Sequence, residues 1–161
     1  MTDIRAGLGI DAHAFGDETP LVLAGVEFPG HPGLIGHSDG DVITHALIDA
    51  LLGAARRGSI GELFPSSDAE WQGASSLRLL EHAYEVVRAA GFELVNADCL
   101  LVGEEPRIAA HQAAMSARLA EAMAVEPGCV SVRATTTDGL GFTGRREGLA
   151  AQAVALLTRR S

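Results

Sequence analysis

Two apolar segments, LVLAGV at residues 21–26 and CLLV at residues 99–102, show little alternation between polar and apolar side chains. Strands apolar on both faces belong to a sheet covered on both sides, and no other feature restricts the fold of this chain as much. Around them the sequence divides itself into further elements. Arg5–Phe15 and Leu21–Phe28 read as strands joined at the Gly16-Asp17-Glu18-Thr19-Pro20 turn, so a hairpin opens the fold. Ser38-Asp39-Gly40-Asp41 has the S-x-x-D form of a helix start, and the helix behind it should run to Arg57 and stop at Gly58. Ser59–Gly73 reads as a loop closing over something, and Ser75–Ala90 as a surface helix with Leu77, Leu80, Tyr84 and Val87 on one side. Phe92–Val102 reads as a strand, Arg107–Ala124 as a helix, Cys129–Thr135 as a strand and Glu147–Arg159 as a last helix. The pattern predicts one two-layer α+β domain over residues 1–161, with a four-stranded mixed sheet and helices on one face. The other face then has to be buried by oligomerisation.

Composition narrows the function. All 12 basic residues are arginine, and against 21 acidic residues they leave a formal net charge of −9. That sign disfavours nucleic acid and anionic membrane as partners, and the absence of lysine excludes Schiff-base chemistry, a pyridoxal aldimine and a Walker A loop. Apolar runs are broken well before membrane length, and the start Met1-Thr2-Asp3-Ile4-Arg5 has no export or import pattern, so a cytoplasmic location is expected. Cys99 and Cys129, both in segments read as strands, lack the close pairing of a zinc knuckle or redox motif and read as buried thiols.

Two stretches carry candidate chemistry. Asp11 and His13 lie two apart on the first strand and therefore share a face, while Asp41, His45 and Asp49 recur every fourth residue along the first helix. Such a stripe either faces water or lines a site. If Asp11, His13 and His45 converge, they supply two nitrogens and one carboxylate, the three-ligand set of a catalytic zinc with one open position. His37 sits just before this helix, whereas His31, His82 and His111 read as structural or solvated. The second stretch, Thr135-Thr136-Thr137-Asp138-Gly139-Leu140-Gly141-Phe142-Thr143-Gly144-Arg145, puts hydroxyls, glycine amides and an arginine on one loop, either an anion cradle or simple punctuation after a strand. Within a cradle, Asp138 makes sense if a hard divalent cation bridges it to phosphate.

Taken together, GLGIDAHAFG, LVLAGVEFP, GLIGHSDGDVITHALIDALLGA, IGELFPSSD and VRATTTDGLGFTGRREGLAAQAVALL resemble the synthases that make 2-C-methyl-D-erythritol 2,4-cyclodiphosphate in the non-mevalonate isoprenoid pathway. The resemblance covers nearly the whole chain and implies a homotrimer with active sites at subunit boundaries. It implies zinc on Asp11, His13 and His45, Mg²⁺ or Mn²⁺ through Asp138, and catalytic roles for His37 and Thr136. The substrate would be 4-diphosphocytidyl-2-C-methyl-D-erythritol 2-phosphate, and CMP would leave as the ring closes. Ser38, Asp49, Ser59, Ile60, Gly61, Phe64, Pro65, Ser66, Ser67 and Asp68 would serve the phosphate and methylerythritol. Gly103, Glu104, Glu105, Pro106, Arg107, Ile108, Ala109, Thr135 and Thr137 would form the cytidine pocket, with Phe142 and Arg145 toward the phosphates and the trimer axis.

The chain departs from the family pattern in four places. Ser59 and Ser66 stand where aspartate is usual, Asp138 where glutamate is usual, and Gly103-Glu104-Glu105-Pro106-Arg107 replaces the commoner A-Q-x-P-K. No zinc ligand is lost, so altered substrate affinity is expected in place of lost activity. The rivals are a zinc-dependent phosphohydrolase and a non-catalytic trimer that binds cytidine nucleotides.

Overall fold

The computed structural model describes residues 3–161, apart from the side chains of residues 17 and 18. The amino-terminal pair Met1-Thr2 of the expected leaderless start lies outside the described residues. Five strands are described, β1 (Ile4–Leu23), β2 (Val26–Leu34), β3 (Phe92–Val102), β4 (Val130–Thr135) and β5 (Gly148–Arg159). The helices are α1 (Val42–Ala54), α2 (Ile60–Leu63), α3 (Ser76–Ala89), α4 (Gln112–Met123) and α5 (Gly141–Gly144). The sheet order is β2-β1-β5-β3-β4, antiparallel except for the parallel β3–β4 pair. The four-stranded expectation is therefore corrected. β1 is long enough to join two ladders, pairing with β5 through residues 4–14 and with β2 from Phe15 to Leu23, so counting its halves separately gives six strands.

The largest difference from the sequence reading is the last element. Glu147–Arg159 was expected as a helix because alanine and leucine are strong helix formers. Instead the segment is β5, paired on both edges in the middle of the sheet. Leu149, Ala151, Ala153, Ala155 and Leu157 are all buried and strictly alternate, so the period-2 pattern outweighs the local propensity. The hairpin turn also moves. β1 continues through residues 16–20 to Leu23, and the chain reverses at Ala24-Gly25, both with positive φ (48° and 74°), the backbone a tight two-residue hairpin needs.

Helices α1, α3 and α4 pack on one face, α1 against β1 and β5, α3 against β3, and α4 against β4. α1 ends at Ala54, a turn before the expected Arg57, and its N-cap is Asp41, which accepts the Thr44 amide. The S-x-x-D start thus works through its aspartate and not through Ser38. Asp41 is fully buried and also accepts the Ala24 and Gly25 amides at 2.8 Å, tying the hairpin turn to the helix start. It belongs to the frame, not to an exposed or site-lining stripe. α4 begins at Gln112 behind a 3₁₀ turn at Ala109–His111, five residues later than the Arg107 expected. Cys99 lies buried in β3, whereas Cys129 ends a 3₁₀ turn just before β4 and is only half-buried. Burial pushes the Cys99 thiol up to about 12, so it stays protonated at neutral pH.

Gly7 and Gly9 set the distance between α1 and β1. A Cβ on Gly9 would fall 1.8 Å from the Ala46 carbonyl oxygen, and one on Gly7 1.9 Å from that of Ala50. Their absence lets the helix lie directly on the strand, with His45 one turn beyond, over Asp11 and His13. The opposite face of the sheet leaves Ile4, Leu8, Ile10 and Val154 between 48% and 60% exposed. Leu8 and Val154 are register partners, which makes these side chains one continuous apolar strip.

Candidate functional site

Asp11 and His13 project from β1 on its helix-bearing side, and His45 comes down from the first turn of α1 to meet them. His13 Nε2 lies 2.7 Å from Asp11 Oδ2, His45 Nδ1 lies 3.1 Å from the same oxygen, and the two imidazole nitrogens are 3.1 Å apart. The outward nitrogens are also engaged. His13 Nδ1 donates to the Ile35 carbonyl at 2.7 Å, and His45 Nε2 touches Ser76 Oγ at 2.8 Å and Ser38 Oγ at 2.9 Å. With a proton held on each outer nitrogen, three lone-pair atoms converge on one point. That arrangement demands either an extra proton or a cation, and two imidazoles with one carboxylate match the donor chemistry of a divalent transition metal. The residues fit a metal.

The electrostatics agree. Burial pushes the Asp11 carboxyl up, but hydrogen bonds and charge attraction from His13 and His45 outweigh it and bring the group down to about 2. The Asp11 hydrogen bond raises His13 above the ordinary imidazole range, against the effect of burial.

The cluster lies at the floor of a cavity of about 200 Å³ lined also by His37, Ser38, Ile60, Gly61, Phe64, Trp71 and Leu79. His37, Ser38, Ile60, Gly61 and Phe64 were expected here; Trp71 and Leu79 were not. Trp71 packs edge-on to Phe64, ring centroids 4.9 Å apart, and its sequence position in a polar stretch gave no signal beyond its being the single tryptophan. Ser59 caps α2 in a reciprocal capping box with Glu62, and Asp49 accepts the Ile60 amide at 2.7 Å. Both therefore hold the α2 rim, with Asp49 raised by burial. Pro65, Ser66, Ser67 and Asp68 form an exposed turn outside that lining, where Asp68 caps the 3₁₀ turn at Ala69–Trp71.

A second group gathers at the ends of β3 and β4. Gly103, Glu104, Pro106, Arg107, Ile108, Ala109, Thr135 and Thr136 line a groove of about 290 Å³, together with Gln112 and Ala134. Glu105 instead lines a neighbouring hollow with His31 and Arg146. Asp138 is exposed at positive φ, with Thr136 Oγ1 at 3.3 Å, and Glu104 accepts the Gly139 amide. Thr137 is turned inward to the Leu140 carbonyl and Thr143, and Arg145 pairs with Glu147 at 2.8 Å beside exposed Phe142. His82 lies 3.7 Å from Glu85, and His111 meets Phe28 edge-on, so neither joins the cluster.

The two groups do not share a cavity. Thr135 pairs with Val102, Val102 with Ala150, and the adjoining Leu149 with His13, so three strand spacings, roughly 14 Å, separate them.

Such a molecule falls in the class of mixed-sheet α+β proteins with a preformed nitrogen–oxygen ligand set, fit for a metal, on the helix side of the sheet. The chain belongs to the YgbB family, whose model matches residues 4–158. It is 49% identical over 156 residues to 2-C-methyl-D-erythritol 2,4-cyclodiphosphate synthase of Haemophilus influenzae, covering 97% of this chain and 99% of that one. Its fold superposes on the bifunctional IspDF from Campylobacter jejuni with a TM-score of 0.94 and 43% identity, over 99% of this chain and 43% of that longer one. A CDP-bound 2-C-methyl-D-erythritol 2,4-cyclodiphosphate synthase matches with a TM-score of 0.86 and 36% identity, over 95% and 99% of the two chains. No helix among the described residues is long and apolar enough to cross a membrane.

Proposed function

We propose that this chain acts as one domain, in a cytoplasmic homotrimer, as a 2-C-methyl-D-erythritol 2,4-cyclodiphosphate synthase, a phosphorus–oxygen lyase of non-mevalonate isoprenoid biosynthesis. The observation that carries the reading is the convergence of Asp11, His13 and His45 under a cavity, in a chain nearly half identical to named synthases. The substrate is 4-diphosphocytidyl-2-C-methyl-D-erythritol 2-phosphate. An oxygen of its 2-phosphate forms a bond to the β-phosphorus, the bond from that phosphorus to the oxygen bridging it to the α-phosphorus breaks, and the electron pair leaves with CMP. No water is consumed.

The chain's own contribution is positioning. Ser38 and His37 face the cavity beside the cluster, where a hydroxyl and an imidazole can hold phosphate oxygens in line, while Phe64 and Ile60 exclude water from the polyol side. Thr136 and Arg107 line the other groove, placed to receive the nucleotide and stabilise charge on the departing phosphate. Asp11, His13 and His45 would hold zinc and Asp138 Mg²⁺ or Mn²⁺, and the ions would supply the charge neutralisation that a lysine-free chain of net charge −9 lacks.

The roughly 14 Å between the two groups supports a site completed by a neighbouring copy, whose groove would face this chain's cavity. The exposed strip of Ile4, Leu8, Ile10 and Val154 supplies the apolar surface such an assembly buries. Incubating the protein with substrate, Zn²⁺ and Mg²⁺ should yield CMP and the cyclic diphosphate in equal amounts. Release of inorganic phosphate would establish the hydrolase instead, and cytidine nucleotide binding without turnover the non-catalytic trimer.

A further inference from the structure

We infer that Asp39 and Ser76 form a relay that fixes the tautomer and the aim of His45; they are positioning residues for the metal centre, and the inference rests on the metal reading above. Ser76 is fully buried at the first residue of α3, where its amide donates to Asp39 Oδ2 at 2.9 Å and its hydroxyl donates to Asp39 Oδ1. A hydroxyl has one proton, and a carboxylate is the strongest acceptor within its reach. Ser76 Oγ can therefore offer His45 only lone pairs, so His45 Nε2, 2.8 Å away, has to be the donor. That leaves the lone pair on Nδ1, the atom that faces Asp11 and His13. The opposite tautomer would set two lone pairs against each other at Ser76.

Ser38 Oγ, 2.9 Å from the same nitrogen and 3.3 Å from Ser76 Oγ, has no carboxylate beside it to fix its proton, which can turn to Ser76 or to a ligand. Asp39 is itself held, for the Asp41 amide donates to its Oδ1 at 3.1 Å. His13 has its proton fixed by a backbone carbonyl, which substitution cannot remove. At His45 the same task falls to side chains from two different segments, the loop before α1 and the start of α3. Outer partners of this kind orient a ligating histidine and raise its basicity, and their loss typically costs about 10- to 100-fold in metal affinity.

The test uses the full chain stripped of metal by a chelator. Zn²⁺ affinity is measured by chelator competition, Co²⁺ binding by its visible absorption, and the His45 tautomer by side-chain ¹⁵N shifts in the metal-free protein. Ser76→Ala should weaken Zn²⁺ binding about 10- to 100-fold and turn the single Nε2–H pattern of His45 into a mixture. Asp39→Asn should do the same, and the double variant should be no worse than the more affected single one, because the pair acts as one unit. Ser38→Ala should change the affinity by less than about threefold, a clear step below the relay variants. Wild-type affinity and an unchanged ¹⁵N pattern in either relay variant would overturn the relay, as would a Ser38→Ala effect equal to that of Ser76→Ala. If Ser76→Ala does not fold, Asp39→Asn carries the decision. Wild-type protein that bound neither ion would sink the metal reading, and the ¹⁵N measurement, made without metal, would still decide the relay.

Discussion

At Asp11, His13 and His45 all four ring nitrogens and one carboxylate oxygen have a counterpart within one chain, whereas Thr135 and Thr136 stand exposed along a groove, with exposed Asp138 on the following turn. The first region is rigid before any ligand arrives, because β1, α1 and the start of α3 hold it from three sides. The second is a sheet edge followed by a turn of positive-φ residues. Preorganisation is therefore unequal: on the proposed function, one copy of the chain would suffice for metal affinity, while reactivity would need the groove brought to a cavity roughly 14 Å away.

The largest effect that separates the two regions should come from His45→Ala. Wild-type protein should carry about one zinc per chain by elemental analysis. The variant should lose that zinc and at least about 10³-fold in CMP release, a barrier change on the order of 4 kcal/mol. It should still bind cytidine nucleotides, because the groove owes nothing to His45. Full activity in zinc-stripped wild-type protein would reverse the argument and move the chemistry to the groove.

A charge in the apolar strip tests the other half. Leu8 is 60% exposed and paired with Val154, so Leu8→Glu leaves the fold of one chain intact but places a carboxylate where copies should meet. Sedimentation should show a trimer for the wild type and a monomer for the variant, with activity down about 100-fold or more and zinc content unchanged. Activity retained in a monomeric variant would show that one chain holds both regions in working geometry.

The same contrast explains what the sequence displayed. Asp11, His13 and His45 were legible because strand and helix periodicities alone put them on approachable faces, and the glycines at 7 and 9 permit the approach. Asp39 and Ser76 were not, because their meeting joins a loop to a helix 37 positions on, and no local pattern records that. β5 was misread for a different reason. Its alanines satisfy helix propensity, while the alternation that overrides it matters only once β1 and β3 stand on either side. The structure lines one groove with Gly103, Arg107, Thr135 and Thr136, which spacing alone could not have joined, and leaves Glu105 and Thr137 outside it. The departures at Ser59 and Ser66 became clearer in structure, Ser59 being a helix cap and Ser66 part of an exposed turn.

The smallest expected effect is on stability, and its sign follows from the cluster being finished within the chain. In metal-free protein Asp11 is held down to about 2, so its contribution is complete above the ordinary aspartate range near 3.8 and is lost as pH falls through about 2. His13 is raised, so its contribution is complete below the ordinary imidazole range, about 6.5, and is lost as pH rises through its higher folded value. The pair therefore stabilises the metal-free fold most between about pH 4 and 6.5, with Asp11 contributing on the order of 2 kcal/mol. Zn²⁺ replaces the shared proton, so loaded protein should lose the decline on the alkaline side, and its metal affinity should fall as pH drops through the range where His13 protonates. Thermal melts of stripped and loaded protein across pH 3 to 9 check both limbs, with Asp11→Asn expected to flatten the stripped curve. A stripped wild-type curve as flat as that of Asp11→Asn would mean that the pair is too well solvated to count, and the cluster would then owe its order to the scaffold alone.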